Sequence, residues 1–504
     1  MYQMGSISLC SKSLLHISIL FLPCFIGVTY CQKFQGLSPL ISPPLIPEIL
    51  NFLDQRLSSV YPIIQVFKDT ITSDPFNITE TWVGPDICNY KGFYCTSPPD
   101  NKSAVALASI DFNGFQLSAT ALDGFIDQLP DLALFHANSN KFSGTISPKI
   151  TKLPFLYELD ISNNNFHGSF PMEILGIPGL SFLDIRFNFF TGTVPPQVFT
   201  KGLDVLFLNN NNFSQKLPEN LGSTTVRYLT LANNKFIGPI PRSIIKASAT
   251  LREVLLLNNL LTGCLPYELG FLRELVLFDA GNNLLTGPLP SSLGCLAKLE
   301  QFNLTGNLLY GQVPEVVCAL GNLVNLSLSS NYFTELGPTC RKLVNSGVLD
   351  IKKNCIHDLP DQRSVLECDA FSLQPRDCPN PASFNLIPCK VPSSPSHPSI
   401  GPKRNLYHVW ILILQSIGAY LRITESQSTQ VCMSLLVHLA LTGPSAMYNR
   451  DHEGSTEYGA WEAGDARYEA TRDYDLLYTI PIPKGWEDPS FHQTGGIIGK
   501  QPTS

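Results

Sequence analysis

Paired acidic residues are the first candidates for chemistry in this chain of 504 residues. Glu158 and Asp160 are separated by one residue, so in a strand both carboxylates point to the same side. Two neighbouring carboxylates can serve as a general acid and a general base. On a regular repeat surface, however, such pairs more often face solvent than a substrate. We therefore expect a binding surface here rather than an enzyme.

The remaining sequence predicts no catalytic residue, no metal site and no cofactor. Its nine histidines include no His-Glu-x-x-His motif, and there is no Gly-x-Ser-x-Gly elbow. The stretch "GGIIGK" near Gly495 lacks the spacing of a phosphate-binding loop. A formal net charge of −7 argues against a nucleic-acid partner and suits a basic one.

Ten cysteines between Cys88 and Cys389 predict a set of disulfides. A zinc site at Cys88 and Cys95 would need two more ligands nearby, and the sequence has none there. We therefore predict that Cys88 pairs with Cys95 and leave the other pairings open. The candidates are Cys88, Cys95, Cys264, Cys295, Cys318, Cys340, Cys355, Cys368, Cys378 and Cys389.

Disulfides require an oxidising compartment, and the N-terminus predicts entry into one. Lys12 precedes an apolar run from Leu14 to Val28, which has the length and charge order of a secretory signal, so residues 1–30 are predicted to be a signal peptide. A second apolar stretch, Leu406–Leu421, is short for a membrane span, so membrane attachment is not expected. Glycosylation sequons agree with secretion and lie at Asn77, Asn101, Asn212, Asn303 and Asn325.

The acidic pair belongs to a sequence repeat of about 24 residues, the period of leucine-rich repeats. Its clearest copy is "LYELDISNNNFHGSFP", which begins at Leu156. Each copy has apolar residues at relative positions 1, 4 and 6 and an asparagine at position 9. The asparagines are Asn140, Asn164, Asn188, Asn211, Asn234, Asn259, Asn283, Asn307, Asn331 and Asn354.

The repeat predicts an α/β solenoid with one parallel sheet on its concave face. In the copy quoted above, Leu156, Leu159 and Ile161 point inward, and a single coil cannot bury them, so coils must stack. We expect N-terminal helices and a Cys-paired cap over 32–104, about ten to eleven coils over 105–361, and a Cys-rich cap over 362–389. Residues 390–504 are predicted to be a linker and a disordered tail. Helical spacing from Glu48 to Thr70 predicts one or two helices, broken near Pro62.

Strand alternation predicts which side chains reach the concave face. The expected ligand-binding residues are Glu158, Asp160, Phe182, Asp184, Arg186, Val205, Phe207, Tyr228, Glu253, Leu255, Leu257, Leu277 and Asp279. The apolar members of this set are predicted to form an exposed patch rimmed by carboxylates, as binding hot spots do. A glycan at Asn303 or Asn325 would block the later coils, so the binding site is expected before them.

Several stretches resemble the repeat region of plant leucine-rich repeat extensins, over about Phe52 to Cys389. They include "FLDIRFNFFTGTVPPQVF", "LTGCLPYELGFL", "SNYFTELGPTC" and "LDIKKNCIHDLPDQRSVLEC". In place of the long tail of Ser-Pro blocks found in the family, only "PSSPSHPSIGP" follows the cap. In that respect the chain is similar to short, tail-less relatives.

This resemblance implies a secreted, non-enzymatic cell-wall protein that binds its partner as a homodimer. Its implied partners are small, basic, disulfide-bonded peptides, the rapid alkalinisation factors, or another cell-wall protein. The repeats and caps also resemble polygalacturonase-inhibiting proteins, so an inhibitor of wall-degrading enzymes is the alternative function.

Overall fold

A sheet of twelve strands forms the concave face of the protein, and eleven of them are parallel, with one from each coil. The computed structural model describes residues 50–389, so the predicted signal peptide, the stretch Leu406–Leu421 and the predicted tail lie outside the described residues. The strands are β1 (Phe93–Thr96), β2 (Ala106–Asp111), β3 (Leu134–His136), β4 (Glu158–Asp160), β5 (Phe182–Asp184), β6 (Val205–Phe207), β7 (Tyr228–Thr230), β8 (Glu253–Leu255), β9 (Leu277–Asp279), β10 (Gln301–Asn303), β11 (Asn325–Ser327) and β12 (Leu349–Asp350).

The strands pair in register, so equivalent positions of successive coils lie side by side. Leu159 of β4 pairs with Leu183 of β5, which pairs with Leu206 of β6, and all three are fully buried. Only β1 is antiparallel, and it covers the otherwise open edge of β2. The predicted leucine-rich repeat solenoid is therefore confirmed.

Two short sheets on the flank of the solenoid add to the single sheet that we expected. They follow the asparagine of each coil, where the chain turns away from the concave face. One contains Ser143–Gly144, Asn165–Ser169, Phe189–Gly192 and Asn212–Phe213. The other contains Ile237–Gly238, Leu260–Cys264, Leu284–Gly287, Leu308–Val313 and Tyr332–Leu336. Turn glycines such as Gly168, at a φ of 97°, supply backbone conformations that other residues rarely adopt.

Short helices form the return limb of each coil, and most begin beside the proline of the repeat. The α-helices are α1 (Gln55–Thr70), α2 (Glu315–Cys318), α3 (Pro338–Asn345) and α4 (Val365–Ser372). The 3₁₀-helices are Ile78–Thr81, Ile87–Asn89, Ile126–Gln128, Pro148–Lys152, Met172–Gly176, Pro196–Thr200, Glu219–Ser223, Arg242–Ala247, Tyr267–Phe271, Ser291–Cys295 and Pro381–Asn385. The core lies between these helices and the sheet.

The repeat asparagines form a buried ladder that explains why the residue recurs. The Nδ2 group of Asn234 donates to the carbonyls of Leu231 and Ala232 in its own coil and to that of Leu208 in the preceding coil. Its Oδ1 accepts from the backbone N–H of Phe213. One amide thus satisfies four backbone groups that the bend would leave unpaired.

The helix predicted to break near Pro62 does not break. Helix α1 runs from Gln55 to Thr70 as one piece, with Pro62 on its exposed side. Its opposite side buries Leu57, Val60, Ile64 and Phe67 against the first coils. Burial of this apolar stripe offsets the hydrogen bond that a proline removes from a helix.

All ten candidate cysteines are paired, and Cys88 bonds to Cys95 as predicted. The other pairs are Cys264–Cys378, Cys295–Cys389, Cys318–Cys340 and Cys355–Cys368. The first two of these join residues 114 and 94 positions apart, so they tie the end of the C-terminal cap back to earlier coils. Gly287 lies under Cys378, and a Cβ at this position would collide with that sulfur.

Candidate ligand-binding face

Three rows of side chains run along the concave face, and they include every residue of the predicted binding site. We call relative position 3 of each coil the first row, position 5 the second row and position 7 the third row. The first row contains Glu158, Phe182, Val205, Tyr228, Glu253 and Leu277. The second row includes His136, Asp160, Asp184, Phe207, Thr230, Leu255 and Asp279, and the third includes Arg186, Asn209 and Leu257. Strand alternation therefore assigned these residues to the correct side of the sheet.

Acidic residues of the second row hold the backbone at the end of each strand. Asp160 accepts from the N–H of Ser162, at 2.8 Å. Asp184 likewise accepts from the N–H of Arg186, and Asp279 from that of Gly281. One carboxylate oxygen of each residue thus has a structural role, which the sequence analysis did not recognise. The second oxygen of Asp184 contacts Arg186, and that of Asp279 accepts a hydrogen bond from Asn303.

Glu158 pairs with a histidine that the sequence analysis missed. The ring of His136 lies 2.8 Å from a Glu158 carboxylate oxygen, and both side chains are buried. Burial alone would lower the pKa of His136, but the hydrogen bond and charge of Glu158, together with Asp160 and Asp111, raise that pKa to about 9. His136 is therefore a cation at neutral pH. It occupies relative position 5 of the coil "LALFHANSN", so tracing the second row one coil earlier would have found it.

A second buried ion pair lies beside the aromatic side chains. Arg186 Nε is 2.8 Å from Asp184 Oδ2, and the Arg186 guanidinium lies 5.1 Å from the ring centroid of Phe207. Both members of the ion pair are almost completely buried. Arg186 thus links the acidic part of the concave face to its apolar part through a salt bridge and a cation–π contact.

The predicted exposed apolar patch is in fact largely buried, and this corrects the sequence-based expectation. Phe182, Val205 and Phe207 form a cluster on the concave side, separate from the main core, with exposures of 8%, 1% and 3%. The two phenylalanine rings meet edge to face at 6.0 Å between centroids. Leu255 is also buried. Alternation predicts the side of the sheet but not how closely large neighbouring side chains pack together.

Half-exposed side chains of the predicted site lie on the next three strands. Tyr228 packs against the buried cluster, and Glu253 follows it in the first row. Leu257, Leu277 and Asp279 are also partly exposed. The partly exposed apolar side chains of the predicted site therefore lie at β7 to β9, with Glu253 and Asp279 among them.

Beyond β9 the concave face becomes polar. Asp279 accepts a hydrogen bond from Asn303, at 3.0 Å, and burial raises the pKa of Asp279 although that bond and the Gly281 N–H oppose the rise. Gln301 and Asn325 then replace the apolar residues of the first row. The contact between Asp279 and Asn303 could not be predicted from sequence, because it depends on rotamers across two coils.

Among residues 50–389, no helix has the length and apolar character needed to cross a membrane. Within the same range, no three side chains of His, Cys, Asp or Glu are grouped so that they could hold a metal ion.

Comparison with known proteins places this geometry in a family. The Leucine Rich Repeat family model matches residues 155–177 and 202–224. Leucine-rich repeat extensin-like protein 6 of Arabidopsis thaliana is 52% identical over 362 residues, which cover 71% of this chain and 75% of that protein. Leucine-rich repeat extensin-like protein 4 of the same plant is 51% identical over 212 residues, or 42% of each chain.

A solved structure shares the fold. The leucine-rich repeat ectodomain of the plant membrane receptor kinase GASSHO1/SCHENGEN3 from Arabidopsis thaliana, in complex with Casparian Strip Integrity Factor 2, superposes with a TM-score of 0.52. The aligned residues are 27% identical and cover 58% of this chain and 35% of the receptor. Together with the extensin-like relatives, this match agrees with the repeat geometry described above. The chain belongs to the leucine-rich repeat extensin-like family.

Proposed function

We propose that the protein is a secreted, non-enzymatic binding module of the plant cell wall. Its partner would be a small, basic, disulfide-bonded peptide of the rapid alkalinisation factor type. The observation that carries this proposal is a partly exposed surface on the concave face, where Glu253 lies between Tyr228 and Leu277 in the first row and Leu257 and Asp279 lie in the neighbouring rows. A site of this kind combines apolar contact with attraction for a basic ligand.

Charge along the three rows favours a cationic partner. From β2 to β9 the carboxylates outnumber the cations, of which the rows contain His136 and Arg186. The acidic members are Asp111, Glu158, Asp160, Asp184, Glu253 and Asp279. Because each cation already pairs with one of these acids, the net field of the concave face stays negative, which raises the association rate of basic ligands.

The buried cluster below this surface supports binding indirectly. Phe182, Val205 and Phe207 contact one another and Tyr228, so they hold the Tyr228 ring in a fixed position. A preorganised aromatic side chain loses little entropy when it is covered by a ligand. The receptor that shares this fold was solved in complex with a partner, which supports a binding role for the solenoid as well.

Affinity capture from cell-wall fluid tests the proposal. The full chain, secreted from plant cells with a purification tag, is incubated with the fluid, and the bound material is identified by mass spectrometry. We expect small basic cysteine-rich peptides, released by high salt. Capture of a wall-degrading glycosidase would support the alternative, an inhibitor. A variant with Tyr228→Ala and Leu277→Ala provides the matched control, and it should retain neither class if the concave face is the site.

A further inference from the structure

The five glycosylation sequons differ in how the folded protein uses their asparagines. Asn77, Asn101, Asn212 and Asn325 are exposed, whereas Asn303 is half-buried on the concave face. Asn303 and Asn325 lie on neighbouring strands, β10 and β11. Sequence alone treats the two sites as equivalent, but the structure separates them.

Asn303 has a structural role at both ends of its amide. Its Oδ1 accepts from the backbone N–H of Thr305, at 3.0 Å, as the second-row acids do in earlier coils. Its Nδ2 donates to Asp279 Oδ2, also at 3.0 Å. A sugar attached to this nitrogen would replace one of its two hydrogens and would have to fit beside the Asp279 carboxylate in a half-buried position.

Asn325 has the opposite environment. Its side chain is exposed in the first row, and its Oδ1 accepts from the hydroxyl of Ser327, at 2.8 Å. Among the described residues, no hydrogen bond from its Nδ2 was found. The nitrogen that a glycan requires therefore belongs to an exposed side chain and is not used in a hydrogen bond to the described residues.

We propose that Asn325 carries an N-linked glycan on the concave face and that Asn303 does not. In this modification, the anomeric carbon of a lipid-pyrophosphate-linked oligosaccharide bonds to Asn325 Nδ2. That nitrogen loses a proton, and the lipid pyrophosphate leaves. A sugar on Asn303 would crowd its half-buried contact with Asp279 on folding, so the folded, secreted protein should lack this modification.

The glycan at Asn325 closes the C-terminal end of the concave face. Asn325 lies two strands from Leu277, a distance of roughly 10 Å from the strand spacing. A protein partner is therefore kept on the N-terminal side of β10, while Asn303 stays free to hold Asp279 in place. This inference concerns the modification and stands whether or not the partner is a basic peptide.

Two matched variants test it, because each removes a sequon without removing its asparagine. The full chain is secreted from plant cells behind a heterologous signal, so that every sequon meets the transferase. Ser327→Ala should reduce the mass by one glycan, and Thr305→Ala should leave the mass unchanged. In the second variant the backbone N–H of residue 305 can still donate to Asn303. We therefore expect this variant to fold like the unmodified protein.

Site occupancy in the unmodified protein gives an independent measurement. Enzymatic deglycosylation converts each occupied asparagine to aspartate, which peptide mass spectrometry detects. Aspartate at position 325 together with asparagine at position 303 is the expected result. Aspartate at position 303, an unoccupied Asn325, or loss of a glycan in Thr305→Ala would overturn the proposal.

Discussion

Each coil contributes one asparagine to the buried ladder and three side chains to the concave rows, and the two sets differ along the chain. The ladder repeats the same residue and the same hydrogen bonds from Asn140 to Asn354. The rows change from acidic residues near β4 to apolar residues near β7 and polar residues near β10. A position that never changes within one solenoid serves the backbone, whereas a position that changes is available for recognition.

Mutations in the ladder and mutations in the rows should therefore have different consequences. A change in the ladder affects stacking of the coils, so it should reduce the stability of the folded protein whichever ligand is bound. Changes in the rows should affect binding, pH dependence or association rate more than they affect folding. The predictions below test this division, beginning with the largest effect.

Replacement of a ladder asparagine should cost the most. Asn234→Ala leaves the Phe213 N–H and three carbonyls without their partner, so we expect a loss of about 3 kcal/mol in the free energy of unfolding. Its neighbour Asn233 provides the control. The backbone φ of Asn233 is 51°, and its half-exposed side-chain amide accepts a hydrogen bond from the amide of Asn258. Asn233→Gly should change stability by about 0.5 kcal/mol or less. Urea denaturation measures both, and equal losses would contradict the division.

Ligand binding should respond most to the partly exposed tyrosine. Tyr228→Ala should weaken binding of a basic peptide by about 2 kcal/mol, mainly through faster dissociation, because an aromatic side chain at the centre of an interface supplies much of its affinity. Phe207→Ala is a poorer test than sequence suggested, since Phe207 is 3% exposed and its removal would also disturb packing. Calorimetric titration of folded Tyr228→Ala measures the effect, and unchanged affinity would place the site elsewhere.

Sequence predicted the coils, the sides of the strands and the Cys88–Cys95 bridge, because these depend on local periodicity. It could not predict that Phe182, Val205 and Phe207 are buried, since burial depends on how side chains of different coils pack together. The long-range disulfides could not be predicted for the same reason, because stacking of the coils brings Cys264 close to Cys378. Helix α1 shows a third limit, where packing overrides the local effect of Pro62.

The buried pair of His136 and Glu158 should give stability a specific pH dependence. Since folding raises the pKa of His136 from its ordinary value near 6.5 to about 9, the stabilisation is complete below pH 6.5 and is lost as pH rises through 9. Glu158→Gln removes the main group that raises this pKa, so the variant should lose much of that dependence. We expect the difference between the two proteins in this window to be roughly 1 to 3 kcal/mol.

Denaturation at pH 6 and pH 9.5 measures this difference, and NMR titration of the His136 ring provides a direct check. His136→Gln identifies the resonance. A ring that titrates near pH 6.5 in the unmodified protein would show that the ion pair does not form in solution.

The smallest effect is expected at the carboxylates that lie among the partly exposed apolar residues. Glu253→Gln should weaken binding of a basic peptide by about 0.5 kcal/mol, mostly through slower association, and the effect should fade at high salt. Surface plasmon resonance at two ionic strengths separates the rates. A change in dissociation that is independent of salt would instead indicate a direct, buried contact at Glu253.

The central claim is that a basic peptide binds the concave face at β7 to β9, and site-directed cross-linking tests it most directly. A photoreactive benzoylphenylalanine replaces Leu257, which is partly exposed in the third row, or Met172, which is exposed at the start of a helix in the return limb. On illumination with a synthetic peptide of the rapid alkalinisation factor type, the account predicts a covalent adduct from position 257 and none from position 172. Cross-linking from position 172 alone would contradict it.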